Sequence, residues 1–162
     1  MPKRSAGLLL YRMRSGQVEV LLVHPGGPFF MKKDAGSWSI PKGEYADGED
    51  PQAVSRREFE EETGVRPSGD PFLLGEVRQA GGKVVTAFAL EGDLDPEAIR
   101  SNTFEMEWPP RSGRLQSFPE VDRAAWFTTD EARSKILAGQ APLLDRLREA
   151  MGRAETERQP RN

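Results

Sequence analysis

Three glutamates, Glu58, Glu61 and Glu62, stand at spacings i, i+3 and i+4. On a helix turning about 100° per residue, this gathers their carboxylates within an arc of about 100° on one face. Like charges so placed cost an isolated helix roughly 0.2–0.5 kcal/mol per pair, and a divalent cation compensates for such crowding. Hard carboxylate oxygens suit Mg²⁺, with Mn²⁺ as a substitute, and Mg²⁺ characteristically shares its shell among a few carboxylates, water and substrate phosphates. The chemistry indicated is a metal-assisted reaction at phosphorus. Arg57 adjoins the acidic face, where a guanidinium can orient one carboxylate, and Glu49 adds an acid at the mouth of the helix, while Glu60 falls on the opposite face. A glutamate-rich stretch alone is more often a solvated helix face. The weight therefore rests on the wider pattern.

That pattern runs Gly43, five residues, Glu49, seven residues, Arg57-Glu58-Phe59, one residue, Glu61-Glu62, one residue, Gly64-Val65. At every defined position it resembles the signature of the Nudix hydrolase family. The resemblance implies an α/β/α sandwich and a water attack on one phosphorus of a P–O–P bridge, in a nucleoside diphosphate linked to some other group. It implies that Glu61 and Glu62 are the principal metal ligands and that Glu58 is a ligand or the general base. The backbone carbonyl before the box glycine, here that of Lys42, also binds metal in relatives, and the Lys42 ammonium can reach a phosphate. Some relatives place a further base or ligand ahead of the last strand, where Glu120 stands six residues before Trp126, with Glu105 and Glu107 as rivals.

The run Trp38-Ser39-Ile40-Pro41-Lys42-Gly43 resembles the approach to the box in dinucleoside polyphosphate hydrolases and some nucleoside triphosphate pyrophosphatases, so a substrate of one of these kinds is expected. The tyrosine that dinucleoside tetraphosphatases carry shortly after the box has no counterpart, since the tyrosines are Tyr11 and Tyr45. Neither the downstream proline of ADP-ribose hydrolases nor the motif of NADH hydrolases is evident. Phe29 and Trp108 are candidates for substrate contact, as is Phe30, while Trp38 is expected in the core. Arg111 and Arg114 stand where they can grip distal phosphates. His24, with no second His or Cys nearby, is more often structural in such a position. Two other functions use the same fold: a non-catalytic nucleotide-sensing module and an RNA 5′-end pyrophosphohydrolase. The latter needs a basic strand-binding surface.

The elements that must position these groups follow from local pattern. Asp50-Pro51 and Thr63-Gly64 bracket the glutamate helix as cap, first-turn proline and left-handed exit. Strands are predicted over 5–13 and 17–24 around Arg14-Ser15-Gly16, over 38–40, over 72–79 and 83–90 around Ala80-Gly81-Gly82, at the alternating Phe104, Met106 and Trp108, and over 124–127. A capping box at Thr128-Thr129-Asp130-Glu131 starts one helix, and Leu143, Leu144, Leu147, Ala150 and Met151 line another. Strands on both sides of one central helix, followed by two helices, give an α+β fold around a mixed sheet. One domain is expected over 1–151, with strand pieces in 92–119 embedded in loops and a disordered polar tail over 152–162.

The chain of 162 residues, 36% hydrophobic, can bury a core unaided. A net charge of −3 gives no field for DNA, RNA or an anionic membrane as the main partner, leaving a small phosphoanhydride as the expected partner. The absence of cysteine removes disulfides, thiol nucleophiles and Cys-based zinc sites. The apolar run Leu8-Leu9-Leu10-Tyr11 is cut by Arg12, too short for a leader or a span, so a soluble cytoplasmic protein is expected. Oligomeric state is left open by the exposed-type residues Phe29 and Phe30.

Overall fold

The computed structural model describes residues 3–158, with side chains through Ala154. Strands β1 (Arg4–Arg14) and β2 (Gln17–Pro25) form a hairpin whose turn residues Ser15 and Gly16 have φ of 52° and 78°. β3 (Lys42–Glu44) then pairs antiparallel with the start of β1, placing Lys42 opposite Gly7. After helix α1 (Pro51–Thr63) come β4 (Phe72–Arg78) and β5 (Val84–Glu91), and β5 runs parallel to β1. β6 (Thr103–Glu107) and β7 (Leu115–Pro119) make a separate two-stranded ribbon. β8 (Val121–Thr128) joins the main sheet beside β2, giving the order β4-β5-β1-β2-β8 with β3 on β1. Helices α2 (Thr129–Lys135) and α3 (Pro142–Arg158) close the chain.

The sandwich follows from the period-two alternation of strand side chains. Leu8 and Leu10 of β1 join Leu21, Phe59, Phe88 and Leu90 on the α1 face. Leu9 and Tyr11 point the other way, into a second cluster with Leu22, Trp38, Ala132, Leu143, Leu144 and Leu147 from the α2–α3 side. A strand buried on both faces reads as an unbroken apolar run, as residues 8–11 do. Phe59, 1% exposed, anchors α1 to the sheet, and full burial of such a side chain contributes roughly 1.5–3 kcal/mol.

Several expectations are corrected. Residues 38–40 form isolated bridges, Ser39 to Val23 and Trp38 to Ile136, and the regular strand is β3, which begins after Pro41. Trp108 lies just beyond β6, and β7 falls among the strand pieces expected within the loops of 92–119, paired with β6. The polar stretch from residue 152 is not irregular at its start: α3 continues to Arg158, in keeping with the helix-favouring Arg, Ala and Glu there. Residues 159–162 lie outside those described. Among the described residues, no helix is long and apolar enough to cross a membrane.

Candidate active site

Helix α1 begins where Asp50 accepts from Gln52 N–H at 3.4 Å. It ends at Gly64, whose φ of 77° lets its N–H reach Glu60 C=O at 2.7 Å. Because Val54, Ser55, Phe59 and Thr63 are buried toward the sheet, the helix is fixed in rotation, and Glu58, Glu61 and Glu62 are carried together toward β3. A Cβ at Gly43 would fall on the Glu58 carboxylate, so the glycine is needed for that close approach. Lys42 N–H donates to Glu62 Oε2 at 3.2 Å. Arg57 donates to Glu49 Oε2 at 3.0 Å and reaches Glu58 Oε1 at 3.5 Å, so its tighter partner is Glu49. Glu60 is turned away and pairs with Arg66.

The electrostatics record how crowded these carboxylates are. Burial pushes Glu62 up to about 8, against the pull of the Lys42 ammonium and N–H, with Glu120 and Glu58 adding to the rise. Glu58 is raised by burial and by the charge of Glu61, with which it shares a hydrogen bond. Glu120 is raised by burial and then by Glu61. Lys42 is lowered, because its desolvation outweighs the attraction of Glu62. Four acids thus sense one another with Lys42 and Arg57 as the cations among them.

Among the described residues, no three His, Asp or Glu side chains are arranged to hold a metal ion as they stand. The fit to Mg²⁺ lies in the chemistry of the donors: hard oxygens gathered on one helix face, the Glu62 carboxyl among them pushed up by burial, beside a glycine that admits close approach. Glu58, Glu61, Glu62 and the Lys42 carbonyl are the groups available to a cation.

Glu120 joins the cluster through backbone rather than sequence proximity. It links β7 to β8, and its N–H donates to Asn102 C=O at 2.8 Å. Asn102 N–H donates in turn to Glu61 C=O at 2.7 Å, while Gly26 N–H holds Glu120 C=O at 2.9 Å. Asn102 carries no signal in the sequence, since a single loop asparagine belongs to no pattern. The rivals Glu105 and Glu107 stand on the exposed face of β6, opposite Ser117 and Leu115. A cavity of about 210 Å³ opens beside Lys42, Glu62 and Glu120, walled by Ile40, Phe30 and Leu137. A larger one, about 570 Å³, lies along the loop after β3 and includes Glu49 but none of the other acids of the cluster.

Phe29 and Trp108 meet edge to face, their centroids 5.5 Å apart. Their contact bridges the 26–31 loop to the ribbon, against which Gly27 packs so closely that a Cβ would lie 3.0 Å from Phe104. Phe29 remains 59% exposed, available to a ligand. Arg111 and Arg114 are exposed in the ribbon's turn. Trp38 is buried, its indole N–H on Asp34 at 2.8 Å. His24 is fully buried with both nitrogens engaged, Nδ1 at 2.8 Å from Asp122 and Nε2 at 2.6 Å from Lys33 C=O, so its place is structural.

The site thus sits on a mixed sheet held between α1 and the α2–α3 pair, with acids of α1 facing a glycine turn. The NUDIX domain family model matches residues 1–147, and the chain belongs to the Nudix hydrolase family. It is 33% identical over 129 residues to an RNA pyrophosphohydrolase of Rhodospirillum rubrum, a match covering 78% of this chain and 62% of that protein. It is 30% identical over 135 residues to an octanoyltransferase of Myxococcus xanthus, covering 83% of this chain and 33% of that one. The chain therefore spans less than two thirds of each of these relatives. Among solved structures, the NUDIX domain of Shewanella oneidensis NrtR in complex with ADP ribose superposes with a TM-score of 0.63 at 19% identity, covering 93% of this chain and 89% of that one. The C. elegans Ap4A hydrolase superposes at 0.62 and 20% identity, covering 93% and 99%. At these identities the structural likeness concerns the fold.

Proposed function

We propose that the chain catalyses Mg²⁺-dependent hydrolysis of a P–O–P linkage in a nucleoside diphosphate-X substrate, with a nucleoside triphosphate or dinucleoside polyphosphate as the favoured class. The observation that carries this reading is the convergence of Glu58, Glu61, Glu62 and Glu120 beside Lys42 and Gly43. Bound Mg²⁺ supplies neutralisation of charge on the bridging and leaving phosphate oxygens. Glu61 and Glu62, with the Lys42 carbonyl, hold the cation. Glu58 is a third ligand or takes the proton of the attacking water, and Arg57, anchored on Glu49, fixes its carboxylate for either task. Glu120, beside Glu62 in the same cavity, supplies a second proton acceptor. The Lys42 ammonium faces the substrate phosphates, and the exposed face of Phe29 with Trp108 takes the base.

The test is a product-resolved screen of nucleoside triphosphates, dinucleoside polyphosphates, nucleotide sugars and ADP-ribose with Mg²⁺ and Mn²⁺, run in heavy-oxygen water. Label in a phosphate product is expected and identifies the phosphorus attacked. Binding without turnover across the panel would replace the enzyme with a sensing module. The similarity to an RNA pyrophosphohydrolase supports a second reading, removal of pyrophosphate from a 5′-triphosphorylated RNA. Turnover of such an RNA at a kcat/KM far above that of its mononucleotide decides for it.

A further inference from the structure

Gln140 lies in the turn between α2 and α3, a hundred residues beyond the box approach, and its side chain is fully buried. A buried amide needs partners for its oxygen and both N–H groups, and here every one is found. Oε1 accepts from Ile40 N–H at 3.0 Å. Nε2 donates to the Ser39 hydroxyl at 2.9 Å and to Gln79 Oε1 at 2.7 Å. The Ser39 hydroxyl donates onward to Ile40 C=O at 2.7 Å. Both peptide groups flanking Ile40 are thus tied to one side chain, the N–H directly and the carbonyl through Ser39.

Neighbouring backbone groups find backbone partners. Ser39 exchanges both bonds with Val23, Trp38 N–H reaches Lys135 C=O, and Pro41 C=O accepts from Leu8 N–H. Ile40, two residues before Lys42, is held by Gln140 instead. The turn bearing Gln140 has little slack, because a Cβ at Gly139 would come within 2.6 Å of Arg78 C=O and 2.7 Å of Gln79 Cα.

We propose that Gln140 is a positioning residue for the metal site. By fixing the Ile40 peptide planes it sets the path of Pro41-Lys42-Gly43, and so the direction of the Lys42 carbonyl and of the Lys42 N–H that holds Glu62. The proposal rests on the reading of that carbonyl as a ligand. Groups that orient ligands from one shell out are commonly worth about 10–100-fold in metal affinity.

The experiment measures Mn²⁺ binding to the full chain without substrate, by titration of free Mn²⁺ with electron paramagnetic resonance, alongside thermal unfolding. Gln140→Met is expected to weaken Mn²⁺ binding by at least about tenfold. A core-filling role alone lowers the unfolding temperature and leaves Mn²⁺ affinity unchanged, which overturns the proposal. If Gln140→Met does not fold, Ser39→Ala decides, since it removes the hydroxyl that accepts from Gln140 and donates to the Ile40 carbonyl while leaving the direct bond from Ile40 N–H to Gln140 in place. A loss of affinity of a few-fold supports the proposal, and an unchanged affinity overturns it. Should the parent chain bind no Mn²⁺, or Glu61→Gln bind as well as the parent, the metal reading itself falls and takes this proposal with it.

Discussion

At the scale of single residues, the acids of α1 differ in what their loss should do. Glu61→Gln and Glu62→Gln each keep side-chain volume and remove a hard anionic donor. Each is expected to lower Mg²⁺-dependent turnover by at least about 100-fold, the upper end of the effect of groups one shell further out. Circular dichroism and unfolding temperature should stay near those of the parent chain, and parent-like rates in both variants would sink the mechanism. The carboxylate cluster was legible in the sequence because periodicity alone puts Glu58, Glu61 and Glu62 on one face. Asn102 and Gln140 were not: Asn102 acts through its backbone N–H and C=O, which any residue supplies, and the lone Gln140 amide has no spacing to betray it, since its partners lie 61 to 101 residues away. Glu120 stood between: its chain position before β8 was readable, but its link to Glu61 runs through Asn102.

At the scale of elements, legibility followed the length of the pattern. Helix α1 carried a cap, a proline, a period and an exit glycine, and its bounds were readable. β3 is three residues, Lys-Gly-Glu, with no apolar alternation; it is a strand because β1 offers it an edge. β7 contains a serine, a glutamine and a proline and is largely exposed, so nothing local marks it as a strand until β6 pairs with it. The ribbon they form presents Trp108 to Phe29, the pair proposed to take the base. Trp108→Ala is expected to raise KM with kcat little changed, by a factor corresponding to about 1–3 kcal/mol for one stacked base. Steady-state kinetics at saturating Mg²⁺ measure this, and a fall in kcat at constant KM would place Trp108 in the chemistry instead.

At the scale of the whole molecule, the buried Glu62 carboxyl works against folding as it ionises. Burial holds Glu62 near a pKa of about 8 in the folded, metal-free protein, above its ordinary value of 4.5. Between those values the folded state binds more protons than the unfolded one, so stability falls as pH rises across that window. In EDTA, the unfolding temperature should therefore decline from about pH 5 toward pH 8, and Glu62→Gln should flatten the decline. The proposed Mg²⁺ would bind the ionised form, so its stabilising effect is expected to grow over the same range. A metal-free unfolding temperature that rises through this window would contradict the burial of Glu62.

The pairing of β1 with β5 has a further consequence, in time rather than in space. Arg4 lies opposite Val84 and Leu10 opposite Leu90, so this parallel pairing closes only after some 80 residues have been gathered. The glycine turn and the glutamate helix lie wholly inside that loop. Contacts of such sequence separation form slowly, and the α1 face has no floor until Phe88 and Leu90 meet Leu8, Leu10 and Phe59. Refolding should then yield Mn²⁺ binding and amide protection of β1 and β5 in one kinetic phase, the competence to hold a cation being acquired with the centre of the sheet and not before it.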